Sequence, residues 1–177
     1  TIILSGDLDT LQLVNKNIKV FTPRRGLRDA VLYDEKAVKE RFGGLSPQQL
    51  IDYKALAGDP SDNIPGAPGI GAKTAIQLLS AFGSLNAIYE ALKEQSIKLS
   101  PKLRDTLSKS QDQIFSSKGL ATIERDTPIS FTLEDLAWQA NALAAARSQL
   151  QELEFYSLLD KIPRQKNKGA QDISPPG

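Results

Sequence analysis

Histidine and cysteine are both missing from this chain of 177 residues. The first absence removes the commonest general base and the commonest zinc ligand. The second removes disulfides and thiolate metal sites. No apolar run approaches the ~20 residues that a membrane helix needs, and no signal peptide is evident. An excess of one charge is absent too. The net charge is +1, so any grip on nucleic acid has to come from local patches rather than from the chain as a whole. Only oxygen ligands remain for a metal, which points to Mg²⁺, Mn²⁺ or Ca²⁺. Apolar residues make up 40% of the sequence, enough for a packed core in one ordinary domain or two small ones. The chain begins at Thr1 inside an apolar run, which suggests a piece of something longer.

The most informative stretch is residues 53–85, YKALAGDPSDNIPGAPGIGAKTAIQLLSAFGSL. An acidic turn, Asp59-Pro60-Ser61-Asp62-Asn63, stands beside a glycine hairpin, Gly66-Ala67-Pro68-Gly69-Ile70-Gly71. The turn has the make-up of a cation site: Asp59 and Asp62 can face one side. Taken alone, the same residues serve equally as turn formers and helix caps. Glycines in the hairpin permit close approach of another chain, and Pro65 and Pro68 keep the loop from becoming helix. From Ala72 the apolar spacing of Ala75, Leu78, Leu79 and Phe82 predicts a helix that Gly83 stops. A glycine loop entering a helix leaves backbone N–H groups aimed at an anion, and Lys73 and Thr74 add a charge and a hydroxyl. Ser46-Pro47 predicts the start of a preceding helix, as N-cap and first residue, which runs to Gly58. The unit is helix, hairpin, helix. A dinucleotide-binding GxGxxG loop is the competing match, but it needs a preceding strand, and the residues before this loop are helical and acidic.

Towards the N-terminus, Ile2-Ile3-Leu4 reads as a strand covered on both faces, broken at Ser5-Gly6. Asp7 and Asp9 then lie just past its carboxyl end, where open α/β sheets bind ligands. Two carboxylates there can reach one cation together, or one of them can cap the helix containing Leu11 and Leu13. Residues 18–22 and 29–33 predict two strands around a basic tip with Arg24, Arg25 and Arg28. Asp34 predicts the cap of a helix to about Phe42, ended by Gly43-Gly44. Beyond Gly83 the chain reads helical, from Ser84 to about Glu94, from Ser100-Pro101 with Leu103 and Leu107 inward, and from Asp112 to near residues 124–126. Residues 128–133 alternate as a short extended segment, and residues 140–153 read as a helix. Leu153, Phe155, Leu158 and Leu159 form an apolar patch expected to dock on the core. Lys98, Lys102, Arg104 and Lys109 form a basic flank or a plain surface face. Residues 161–177 read as a tail or linker. The expected organisation is therefore 1–45, 46–125, 126–160 and 161–177.

Three blocks, SGDLDTLQLV, YKALAGDPSDNIPGAPGIGAKTAIQLLSAFGSL and LQELEFYSLLDKI, resemble in order and spacing the 5′-nuclease (flap endonuclease) domain of bacterial DNA polymerase I. The resemblance spans about residues 1–160. It implies a mostly helical α/β fold, the C-terminal half of a PIN-like nuclease core followed by a helix-hairpin-helix subdomain. It also implies Mg²⁺- or Mn²⁺-dependent hydrolysis of DNA phosphodiesters at 5′ ends and 5′ flaps, in replication and repair, by a cytoplasmic, nucleoid-associated protein. A polymerase domain linked beyond the tail belongs to the same expectation. Carried over by position, Asp7, Asp9, Asp59 and Asp62 look like ligands of the second of two metals. Gly66, Gly69, Ile70, Gly71, Lys73 and Thr74 look like the grip on the duplex, with a K⁺ held through the main chain of Asn63, Ala67 and Ile70. The family's N-terminal half, with the other metal's carboxylates and a basic arch, has no counterpart in the sequence, so the chain alone is expected to be inactive. The alternatives are a non-catalytic helix-hairpin-helix DNA-binding module, which leaves the paired aspartates unexplained, and a DNA glycosylase, whose catalytic aspartate the segment after Gly83 does not offer.

Overall fold

The computed structural model of the chain describes residues 1–23, 30–94, 99–137 and 142–162. The chain divides into two compact units, Thr1–Arg125 and Asp126–Gly177. The first opens on a three-stranded sheet of β1 (Ile2–Leu4), β2 (Lys19–Pro23) and β3 (Ala30–Tyr33), in that spatial order. β1 and β2 run parallel, joined through a 3-10 helix at Leu8–Leu13, and β2 and β3 pair antiparallel with Phe21 opposite Leu32. Both predicted strands are present. The basic tip between them, with Arg24, Arg25 and Arg28, lies outside the described residues, as does Lys98.

Ile3, Val20 and Tyr33 share the sheet face that packs on the core. The opposite face carries Ile2 and Leu4, which are 66% and 67% exposed. The expectation of a strand covered on both faces is therefore corrected. Only every second residue of a strand turns to one side, and among the described residues nothing lies over the side that Ile2 and Leu4 share.

The helical part follows its caps where the cap is local. Asp34 accepts from the Ala37 N–H at 2.9 Å and starts α1 (Glu35–Arg41). Ser84 starts α4 (Leu85–Lys93), and Ser100 starts α5 (Pro101–Lys109). Two boundaries differ from expectation. α2 (Gln49–Ala57) begins after Ser46-Pro47 rather than at it. The Ser46 N–H donates to Gln49 Oε1 at 2.9 Å, so the first residue of the helix binds back to the turn that precedes it. The same Gln49 amide donates to the carbonyls of Leu79 and Gly83, at the end of α3 (Ala72–Phe82). α6 (Gln111–Ala121) stops short of residues 124–126. Gln12 accepts from the Ile123 N–H and donates to the Ala121 carbonyl at 2.7 Å, so the chain leaves the helix with its backbone groups satisfied.

α2 packs against α3 and α6. Leu56, Leu79, Leu85, Ile88, Leu107 and Ile114 are fully enclosed between the helices. Leu107 takes the inward place predicted for it, while Leu103 is only partly buried. Asp52 sits inside this core. One of its oxygens accepts from the Leu85 N–H and the other pairs with Lys118, each at 2.8 Å. A buried carboxylate with both oxygens engaged is tolerated, and here it joins α2 to the start of α4 and to α6.

In the second unit a 3-10 turn at Glu134–Leu136 precedes α7 (Ala142–Glu152) and α8 (Tyr156–Leu159). The Arg147 guanidinium donates to the Leu159 carbonyl at 3.1 Å and ties the two helices together. Residues 128–133 pair with no strand among the described residues, and Ile129, Phe131 and Leu133 are exposed. No described helix is long and apolar enough to cross a membrane.

Candidate functional site

α2 ends at Gly58, and the chain turns at once into the acidic loop. Asp59 and Ile64 exchange backbone hydrogen bonds, both at 2.9 Å, and so close the loop on itself. Pro60–Asp62 make a 3-10 turn inside it, and Asn63 completes the reversal at φ 56°. The Asp59 carboxylate accepts from the Ser61 N–H at 3.0 Å and from its hydroxyl at 2.5 Å. From the other end of the unit, the 3-10 helix after β1 delivers Asp9. Carboxylate oxygens of Asp9, Asp59 and Asp62 lie within 4.8 Å of one another.

Asp7 is not in this group. Its carboxylate accepts from the Asp9 N–H at 2.9 Å and caps the 3-10 helix. Of the two readings open for the first aspartate pair, Asp7 shows the cap and Asp9 the convergence.

At the centre of the three carboxylates stands an ammonium group. Lys54, in the last turn of α2, contacts Asp9, lies 2.5 Å from Asp59 and 3.8 Å from Asp62. Lys54, then the Ser61 hydroxyl, hold the Asp59 carboxyl below the usual carboxylate range. The group opens onto a cleft of about 590 Å³ that Asp7, Tyr53 and Arg41 also line. The Arg41 guanidinium lies over the rings of Tyr33 and Phe42 and donates to the Tyr33 hydroxyl at 3.0 Å. Sequence reasoning missed both cations as site residues. For Lys54 a signal existed: a lysine in the last turn of a helix that runs straight into an acidic turn.

The hairpin is tied to this loop through its backbone. The Ala67 N–H donates to the Leu56 carbonyl at 2.9 Å. Gly66 has φ +60°, and a Cβ there would lie 2.3 Å from the Gly58 nitrogen. The two loops touch main chain to main chain at this point. From α6, the Gln113 amide donates to the Gly66 carbonyl at 2.5 Å. Ile64, Ala67 and Ile70 turn inward and are buried, so Ile70 can offer a partner only its main chain. The Ala67 carbonyl already accepts from the Ile70 N–H. Pro68, Gly69, Gly71 and Lys73 face outward, and Thr74 is half-buried. Gly71 is the N-cap of α3 and supplies no side-chain acceptor, so the first-turn N–H groups have no cap side chain.

Three carboxylate oxygens gathered around an ammonium have the make-up of a hard-cation donor set. Residues 45–144 match the family described as 5′-3′ exonuclease, C-terminal SAM fold. The chain belongs to this 5′-3′ exonuclease family. Among similar proteins, the DNA polymerase I of Bacillus subtilis is 40% identical over 172 residues, covering 97% of this chain and 19% of the relative. That of Chloroflexus aurantiacus is 43% identical over 169 residues, covering 92% and 17%. This member of the exonuclease family thus spans under a fifth of the length of these curated relatives. Among solved structures, a T5 5′-exonuclease with zinc bound is similar at TM-score 0.58 and 22% identity, over 91% of this chain and 52% of that one. The catalytic core of Rad2 in complex with DNA substrate is similar at TM-score 0.54 and 19% identity, over 92% and 57%. The expected mostly helical α/β 5′-nuclease fold is the fold observed.

Proposed function

We propose that the protein containing this chain is a 5′→3′ exonuclease and 5′ flap endonuclease acting on DNA, and that Asp9, Asp59 and Asp62 hold one of its Mg²⁺ ions. The observation that carries this reading is the convergence of the three carboxylates, from loops far apart in sequence, beside an outward-facing helix-hairpin-helix. A non-catalytic DNA-binding module has no use for that convergence. Asp9, Asp59 and Asp62 would hold the divalent ion, which would supply an activated water and offset charge on the phosphodiester. Asp7 lines the same cleft and fixes the loop that carries Asp9.

The hairpin holds the duplex. Gly69 and Gly71 have nothing within 4 Å of where a Cβ would stand, so a sugar-phosphate strand has room to approach. The uncapped N–H groups of α3 then meet a phosphate, with Lys73 beside them. The K⁺ site through Asn63, Ala67 and Ile70 belongs to the same reading, as do the linked polymerase domain and a cytoplasmic setting. The zinc of the T5 relative and the DNA of the Rad2 relative are in keeping with it.

A two-ion site spaces its metals about 3.5–4 Å apart, and the cluster of Asp9, Asp59 and Asp62 accounts for one ion of such a pair. The isolated chain should therefore bind Mn²⁺ and duplex DNA without cutting a flap. In the intact protein, Asp59→Asn should slow flap cleavage at saturating Mg²⁺ on the order of 10²-fold while leaving duplex affinity nearly unchanged. An unaltered saturated rate removes Asp59 from the ion, and robust cleavage by the isolated chain removes the need for further ligands.

A further inference from the structure

Lys54 is placed unlike any other described lysine. It rises from the last turn of α2, its side chain is only 15% exposed, and its ammonium touches or approaches all three carboxylates of the cluster. No described acid outside this cluster pairs with it. Three carboxylates drawn within 4.8 Å of one another repel strongly unless a cation lies between them. The helix C-terminus adds partial negative charge at the same spot. A lysine at that position relieves both, and it occupies the space that an oxygen-ligated ion needs.

We propose that Lys54 is the resident counter-cation of the cluster and a competitor for its divalent ion, so that metal entry requires its ammonium to leave. This rests on the reading of Asp9, Asp59 and Asp62 as metal ligands. It assigns Lys54 a positioning role in the empty state: it keeps the carboxylates gathered before an ion arrives, and it weakens the ion's binding by the amount of its own attraction. Such a residue keeps the site from holding a metal permanently and makes occupancy respond to concentration. Displacement is feasible because the ammonium sits on a four-carbon stem with several rotamers, whereas a carboxylate of the closed Asp59–Ile64 loop has little freedom to move aside.

The test is Mn²⁺ binding to the 177-residue chain, followed by electron paramagnetic resonance of the free ion, with far-UV circular dichroism as a check on folding. Lys54→Met keeps the stem and removes the charge; Lys54→Arg keeps the charge. The expected result is an affinity for Mn²⁺ about tenfold tighter in the Met variant, no tighter in the Arg variant, and a lower melting temperature for the metal-free Met variant that Mn²⁺ restores. Equal or weaker Mn²⁺ binding by a folded Met variant overturns the competition. If the Met variant does not fold, Lys54→Gln takes its place under the same criterion. Asp59→Asn separates the two layers. If it leaves Mn²⁺ binding untouched in both backgrounds, the cluster is not the ion's site and the lysine's role falls with it. If it abolishes binding while Lys54→Met does not tighten it, the site stands and only the competition fails.

Discussion

The acidic loop and the glycine hairpin are neighbours in sequence and meet at Gly58 and Gly66, yet they are held in shape by opposite means. The loop is held by charge: three carboxylates gather around Lys54, and Asp59 is engaged by Ser61 as well. The hairpin is held by form: buried Ile64, Ala67 and Ile70, one glycine whose place no other residue can take, and a glutamine from α6 on its carbonyl. A site held by charge can change its occupant when a counter-ion comes or goes. A region held by packing presents the same surface whether or not a divalent ion is bound in the cleft. The difference suits the two tasks proposed for them, since an ion is exchanged and a duplex backbone of constant shape is received.

The largest break in this comparison should come from Gly66→Ala. The added methyl group needs φ +60° and would stand 2.3 Å from the Gly58 nitrogen and 2.7 Å from the Ala57 carbonyl carbon. Strain and clash together should cost on the order of 4 kcal/mol, measured by urea unfolding, and duplex binding and Mn²⁺ binding should fall together because the contact joins the two loops. Gly69→Ala has a similar φ of +75° but no neighbour within 4 Å, and should cost only about 1–2 kcal/mol. Equal costs for the two variants would show that backbone conformation, not the meeting of the loops, is what Gly66 supplies.

A smaller perturbation away from both regions separates global stability from local function. Tyr89 on α4 donates to the Leu107 carbonyl at 2.9 Å. Burial first, then the charge of Asp112, push its phenol up to about 12 from 10.0. The neutral phenol is the form the fold prefers, so this contribution is complete below pH 10 and is lost as pH rises from 10 to 12. Tyr89→Phe should cost about 1 kcal/mol at neutral pH and should be less sensitive to alkali across that window, followed by melting temperature against pH. Duplex affinity and Mn²⁺ affinity should stay at their original values at 25 °C. A fall in either would mean that loop and hairpin both lean on α4.

Most of what local rules govern was legible in the sequence. Asp34, Ser84 and Ser100 each cap the helix expected, because an N-cap bond spans three residues and its partner is always at hand. The hairpin was legible for the same reason. What was missed depends on residues brought together by the fold. Gln49 reaches the end of α3, Gln12 closes the end of α6, and Gln113 holds Gly66, and no spacing rule announces a glutamine with a distant partner. The Ile2-Ile3-Leu4 run misled because hydrophobicity alone does not say how many layers cover a strand. Asp7 and Asp9 were indistinguishable by spacing. The capping geometry of the turn, which engages the first and leaves the second to point into the cleft, separates them only in three dimensions.

The smallest effect tests the hairpin's outer side. Lys73 is exposed in the first turn of α3 and makes no ion pair among the described residues. Its replacement by alanine should leave thermal stability within about 0.5 kcal/mol of the original, as for most surface changes. Its proposed phosphate contact predicts a different kind of change. The slope of log K for duplex binding against log salt should flatten by about 0.9, the value for one phosphate, with affinity loss greatest at low salt. The same substitution should leave Mn²⁺ binding unchanged, because Lys73 stands on the side of the comparison that the divalent ion does not organise. A flattened slope with weakened Mn²⁺ binding would mean that the field of the hairpin reaches the carboxylates, and the division between a part held by charge and a part held by form would need redrawing at Gly58. An unaltered slope would take Lys73 off the strand and leave the uncapped N–H groups of α3 as the contact that remains.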